Sequence, residues 1–214
     1  MSQGALPGTS GSLPEWLQAI AAPTAAAGGG ASAALTGALA AATVEMVAGL
    51  TLARERYAAV HERARSSQGR VRALRDAMMD LARRDADAFA AFERALALPR
   101  GSETEIAARE RAKAAALTDG ADVQLVLLTH LAELADHAVA LAEQGLVSAL
   151  GDAATAGFLA AGAARSAYWA VRANLQDGPP GPEVRQRLEA GLGLLERVEA
   201  VEWRMRQVVS EKIR

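Results

Sequence analysis

The stretch VQLVLLTHLAELADHAVAL, residues 123–141, places Val123, Leu127, Leu131, Leu134, Ala138 and Leu141 at steps of three and four. That spacing puts all six on one face of an α-helix, so the segment predicts a core-facing helix closed by Gly145. Upstream, Pro99-Arg100-Gly101 stops any preceding helix, and Ser102 with Glu105 has the spacing of a capping box, so this helix starts near Ser102. Proline placement extends the map, because an interior proline removes a helical hydrogen bond and clashes with the preceding turn. The seven prolines stand at 7, 14, 23, 99, 179, 180 and 182, leaving the tracts 24–98, 100–178 and 183–214 free of them.

Ser12 and Glu15 repeat the capping-box spacing and predict a short first helix through Trp16 and Ile20. After Gly28-Gly29-Gly30, an Ala-rich helix runs from about Ser32 to Leu52. Within 54–98, Leu74, Met78, Leu81, Phe89 and Phe92 recur at helical spacing, with Gly69 as a candidate break. A further helix spans about Asp152 to Asn174. The last begins at Pro182, with Leu188, Leu192, Leu195 and Val198 as its apolar face. No segment alternates with a strand period, and no βαβ rhythm is present. The expected fold class is all-α: an elongated bundle of about six helices forming one domain over 12–214, behind a disordered tail at 1–11.

The 214 residues carry a formal net charge of -2 and no cysteine. Disulfides, thiolate nucleophiles, iron-sulfur clusters and sulfur-ligated zinc are excluded. The balanced charge gives no pull toward nucleic acid or an anionic membrane. Residues 31–52 form a membrane-like run, but Glu45 interrupts it and it is built largely of Ala, Gly, Ser and Thr, which suits a helix buried in protein better. No secretory signal is seen at the N-terminus, so a cytoplasmic setting is expected. Thin Ala-rich helices bury more surface by pairing with a copy, so a homodimer is expected as well.

Few groups carry chemistry. His130 and His137 are seven residues apart, about 10.5 Å along one helix, too far for one metal ion, and His61 stands alone. No metal site is expected. The triple glycine is neither a Walker loop nor a dinucleotide fingerprint. Its free amides beside Ser32, at a helix start, can bind a carboxylate, carbonyl or phosphate, or else the glycines merely let two helices cross. Arg54 and Tyr57 are i,i+3 neighbours that can face one ligand. Asp85 and Asp87 precede Phe89; either both face solvent or one turns inward near a cationic substrate. Asp152 reads first as a helix N-cap. Arg165, Tyr168, Trp169 and Arg172 line a cleft or close a dimer interface.

In order, these pieces resemble the cyclodeaminase/cyclohydrolase family, which includes the cyclodeaminase part of formiminotransferase-cyclodeaminase and stand-alone methenyltetrahydrofolate cyclohydrolases. The resemblance runs from the Pro23 to Ala31 segment through Met46-Val47, Leu50-Thr51, Arg54, Arg56 and Tyr57. It continues at Asp85, Ala88-Phe89, Pro99, Gly145, Asp152-Ala153, Val171 and Asn174-Leu175. Departures from the family pattern stand at Ala25, Ala27, Ala31, Gly49, Gln124, Leu146, Gly151 and Ala170. The resemblance implies an all-α homodimer acting on C–N bonds of a tetrahydrofolate-linked one-carbon unit, with no cofactor beyond that substrate. Hydrolysis of a methenyl bridge is preferred over deamination of a formimino group. In this reading Asp152 and Asp85 supply the catalytic carboxylate, while Gly28, Gly29, Gly30, Ser32, Arg54, Tyr57 and Asn174 contact the substrate. The departures leave two alternatives: a related enzyme working on a non-folate substrate, or a non-catalytic helical scaffold.

Overall fold

Both predicted capping boxes form. Ser12 N–H donates to Glu15 Oε2 at 2.6 Å and Ser102 N–H to Glu105 Oε2 at 3.1 Å, while each serine hydroxyl accepts from the glutamate backbone N–H. They open two of the six α-helices found among the described residues of this computed structural model, which are 11–23, 27–176 and 181–213. The helices are α1 (Leu13–Ala21), α2 (Gly29–Leu52), α3 (His61–Leu96), α4 (Glu103–Gln144), α5 (Leu150–Leu175) and α6 (Pro182–Lys212). Short 3₁₀ turns at Glu55–Val60 and Val147–Ala149 join α2 to α3 and α4 to α5, and no strand occurs among the described residues. Apart from Gly11, the tail expected at 1–11 lies outside the described residues.

Helices α2, α3, α4 and α5 form a four-helix arrangement in which α2 packs on α3 and α5, and α4 on α3 and α5; α6 covers the seam between α4 and α5. The α4 stripe is buried at every predicted position, and Leu127, Leu131 and Leu134 are wholly inaccessible. Replacing any of these three by Ala costs about 2–5 kcal/mol. Helix α2 has little side-chain bulk to offer, so it gains contact by close approach. A Cβ at Gly37 would lie 2.4 Å from Met78 Sδ and 2.8 Å from Leu131 Cδ2, so only glycine lets α2 sink between α3 and α4. Gly157 does the same for α5 against Met205.

Several expected boundaries shift. Helix α3 passes through Gly69 without a break; that glycine is exposed, and its propensity penalty of about 1 kcal/mol is small beside the burial of Ala64, Val71 and Leu74. Helix α5 starts at Leu150, so Asp152 sits inside its first turn and Ala149, not Asp152, is the N-cap. On α6, Leu192 is 42% exposed and Gly191 takes the buried position, where a Cβ would come within 3.3 Å of Leu125. By length and composition three helical stretches could cross a bilayer, yet about half of each apolar window is buried within the bundle.

Candidate active site

Helix α2 begins without a side-chain cap, because its N-cap is Gly28. Its first-turn amides therefore need partners from elsewhere. Asp85 comes across from α3 and accepts from the backbone N–H of Ala31. It also accepts from Gln124 Nε2 of α4 at 2.6 Å. Gly30 makes room for this junction: a Cβ there would lie 2.2 Å from Asp85 Oδ1 and 2.2 Å from Gln124 Nε2. A Cβ at Gly28 or Gly29 meets nothing within 4 Å, so those two glycines leave open space at the start of α2. Burial pushes the Asp85 carboxyl above the usual carboxylate range, against the opposing pull of the Gln124 and Ala31 hydrogen bonds.

A cavity of about 390 Å³ opens onto these groups. Gly28, Gly29, Gly30 and Asp85 form one wall; Phe89 and Phe92 continue the Asp85 face of α3 by one and two turns. The two rings are tilted at 42° with centroids 6.4 Å apart. Asn174, near the end of α5, closes the opposite side, and Gly120 on α4 leaves space for its amide, since a Cβ there would lie 3.0 Å from Asn174 Nδ2. Asp85 is the one ionisable side chain in the described lining. Two aromatic rings, one carboxylate and one carboxamide suit a flat heteroaromatic ligand that carries a delocalised positive charge near the acid, while the start of α2 holds the acid itself.

The expected site residues thus divide into two groups. Gly28, Gly29, Gly30, Asp85 and Asn174 share the cavity. Arg54, Tyr57 and Asp152 gather at the far end of the bundle, because the 24 residues of α2 span about 36 Å. There Tyr57 Oη accepts from Val147 N–H at 3.2 Å, and it is Arg56, not Arg54, that lies over the Tyr57 ring, 5.1 Å from its centroid. Asp152 is exposed. Within one chain the shared hollow expected for the glycines and Asp152 does not form. Ser32 turns its hydroxyl back to donate to Gly28 O at 3.0 Å, away from the cavity lining. Asp87 faces solvent and pairs with Arg83 at 2.8 Å.

Two of the three histidines lie within hydrogen-bond distance of neighbouring groups. His61 Nε2 lies 3.2 Å from Arg54 O, and His137 Nδ1 lies 3.0 Å from the buried Ser67 hydroxyl. Among the described residues no cluster of three or more metal-ligating side chains occurs. Sequence reasoning missed Gln124 as a site-supporting group, although a lone carboxamide in the apolar run 123–128 was the available signal. Gly120 and the joint role of Phe89 and Phe92 were hidden because they depend on which helices adjoin.

A helical bundle with a largely apolar, ligand-sized cavity and one inward carboxylate defines the class of all-α domain this is. The family model for formiminotransferase-cyclodeaminase matches residues 12–188, and the chain belongs to that family. It is 30% identical over 198 residues to a methenyltetrahydrofolate cyclohydrolase of Methylorubrum extorquens, covering 92% of this chain and 95% of that protein. The crystal structure of a formiminotetrahydrofolate cyclodeaminase from Thermotoga maritima has the same fold, with a TM-score of 0.84 over 95% of this chain and 98% of the other at 24% identity. The chain is therefore a member of a folate one-carbon cyclohydrolase/cyclodeaminase family.

Proposed function

We propose that this chain hydrolyses the methenyl bridge of 5,10-methenyltetrahydrofolate to give 10-formyltetrahydrofolate. The observation that carries the reading is the half-buried Asp85 carboxylate at the wall of a ring-lined cavity, next to the uncapped start of α2. The likeness to the Methylorubrum cyclohydrolase over nearly the full length of both proteins supports hydrolysis in particular. The cavity and its acid disfavour a scaffold role.

The bridge is an amidinium-type cation, so a carboxylate beside it stabilises bound substrate and can orient water toward the bridging carbon. Phe89 and Phe92 supply the faces for a flat ring system, and Asn174 supplies an amide for polar ring edges. Water attacks the bridging carbon and one of its protons passes to Asp85 as the C–O bond forms. The bond from that carbon to N5 then breaks, Asp85 returns its proton to N5, and the hydroxyl proton leaves to solvent as the formyl carbonyl forms on N10. One proton is released per turnover. An acid whose pKa is raised by burial suits this double duty, because it holds an accepted proton better than an ordinary carboxylate and can still return it.

The proposal includes a homodimer. Leu39 and Met46 on α2 and Phe158 and Trp169 on α5 are exposed on two adjacent helices, an apolar face that a second copy would cover. Arg54, Tyr57 and Asp152 reach a cavity only if two copies pair with their α2 helices antiparallel, one end of each meeting the opposite end of the other.

The test is incubation with methenyltetrahydrofolate while the bridged chromophore is followed. Asp85→Asn is expected to lose about 10²- to 10⁴-fold in rate. A wild-type rate no faster than the uncatalysed one rejects the reading. Ammonia release from 5-formiminotetrahydrofolate, with the bridge left intact, assigns the deaminase reaction instead.

A further inference from the structure

We infer that Gln124 is a positioning residue for Asp85: its carboxamide holds the ionised carboxylate against the start of α2, and it turns over to accept from the carboxyl when Asp85 is protonated. The inference deepens the cyclohydrolase reading and rests on it for its catalytic meaning, though not for its structural test.

The geometry is that of a carboxamide with one edge engaged and one edge free. Gln124 is wholly inaccessible, the largest fully buried polar side chain in the described core. Its Nε2 donates to Asp85 Oδ1 at 2.6 Å. Its Oε1 is buried and has no hydrogen-bond partner. A buried carboxamide oxygen without a partner is unfavourable by about 1–3 kcal/mol, so something must retain it there. Packing confines the group as well, since a Cβ on Gly30 of α2 would lie 2.2 Å from its Nε2.

A carboxamide can serve either protonation state of a neighbouring acid. With Asp85 ionised, Nε2–H donates to the carboxylate. When Asp85 takes up a proton, half a turn of the carboxamide brings Oε1 to the same place, where it accepts the new O–H. An apolar side chain serves neither state, and a hydroxyl of ordinary length does not reach from α4 to α3. Gln124 thus provides a partner for Asp85 on both sides of the proton transfer proposed above, without touching substrate, since it lies behind the cavity lining.

Among the described residues, no charged group contributes to the electrostatics of Asp85. On α2 the adjoining residues, Gly28 to Ser32, carry none. On α3, Arg83 is engaged by Asp80 and Asp87. On α4, Asp122 pairs with Arg187 of α6, and Lys113 with Glu110. On α5, Arg172 lies over the Trp169 ring. The protonation of Asp85 is therefore governed by its burial and its two neutral donors, Gln124 Nε2–H and Ala31 N–H.

The test is a titration of the ligand-free protein with ¹³C-labelled aspartate carboxyls, the Asp85 signal being assigned by its loss in Asp85→Asn. In wild type, the Gln124 side-chain ¹⁵N–H signals should shift with the same midpoint as Asp85. In Gln124→Met, which keeps length and removes the donor, Asp85 should titrate higher by about one unit or more, and the acid limb of the kcat/KM profile should move by the same amount. Gln124→Glu keeps the shape and covers the case in which Gln124→Met fails to fold; there Asp85 and the new acid should titrate in two separated steps. An Asp85 midpoint unchanged in the folded variants, or Gln124 signals indifferent to it, overturns the inference. The two titration readouts need no substrate, so an enzyme inactive on folate sinks the proposed function and leaves them standing.

Discussion

A methyl group on Gly30 would lie 2.2 Å from Asp85 Oδ1, well inside contact distance, so the identity of one residue on α2 decides where the acid of α3 can sit. Gly30→Ala is expected to push Asp85 and Gln124 aside together and to lower kcat/KM at least 100-fold, measured by loss of the methenyl chromophore. Gly29→Ala is the control, because its Cβ meets no protein atom within 4 Å. It should raise fold stability by about 0.5–1 kcal/mol through helix propensity. Because Gly29 lines the cavity, KM should rise while kcat changes little. Equal losses in kcat/KM for the two variants would show that the glycines do not act through Asp85.

Asp85 carries a stability signature of its own. Burial raises its pKa above the unfolded value, so the native state binds the proton more tightly; the stabilisation is complete below the unfolded value near 3.8 and is lost as pH rises through the folded one. Asp85→Asn keeps an acceptor for Ala31 and Gln124 without the buried charge. Its thermal midpoint should exceed that of wild type at about pH 7–8, by about 2–4 °C for each kcal/mol recovered, and the gap should shrink toward pH 4. A gap that is constant with pH would place the ionised carboxylate in a fully solvated setting.

How far the sequence carried this picture follows from what each feature depends on. The α4 stripe and the Ser12 and Ser102 capping boxes are local patterns, and they were legible because periodicity and capping act within a few residues. The inward turn of Asp85 was one of two open alternatives; the choice depends on α2 presenting uncapped amides to α3, a tertiary fact. Asp152 lies apart from Asp85 within one chain for the same reason in reverse. Its N-cap spacing was right to within a turn, but the length of α5 carries it to the opposite end of the bundle from Asn174. Gly191 in place of Leu192 on α6 shows the remaining limit: a helix that meets Tyr168 and Leu125 closely selects the smallest residue, not the most apolar one.

Glu202 fastens α6 to α5. It is 7% exposed and is held by Arg165 of α5 and by Arg206, the latter at 2.6 Å. Burial would raise its pKa, but the two guanidinium groups outweigh that and hold the carboxyl below its ordinary value. The stabilisation is therefore present above the unfolded value near 4.5 and is lost as pH falls through the folded one. Both arginines keep solvent contact, which moderates the effect; Glu202→Gln should cost about 1–2 kcal/mol at pH 7 and little at pH 3. Urea unfolding at the two pH values measures it, and an equal cost at both would assign the loss to packing.

The separation of Asp85 from Asp152 by the length of the bundle yields a test of the antiparallel pair. In a two-fold dimer of that kind each cavity takes Asp85 from one chain and Asp152 from the other. Asp85→Asn and Asp152→Asn should each lose about 10²- to 10⁴-fold in rate alone. Mixed, unfolded and refolded together, half of the dimers are hybrids, and each hybrid has one cavity with both acids and one with neither. The mixture should therefore recover roughly a quarter of wild-type activity. If both acids served their own chain, every hybrid cavity would lack one of them and the mixture would stay inactive. If Asp152 took no part, Asp152→Asn would be active before mixing. Light scattering sets the precondition: a mass near 22.2 kDa at micromolar concentration, the mass of one chain, would remove the second copy and with it any route from Asp152 to the cavity.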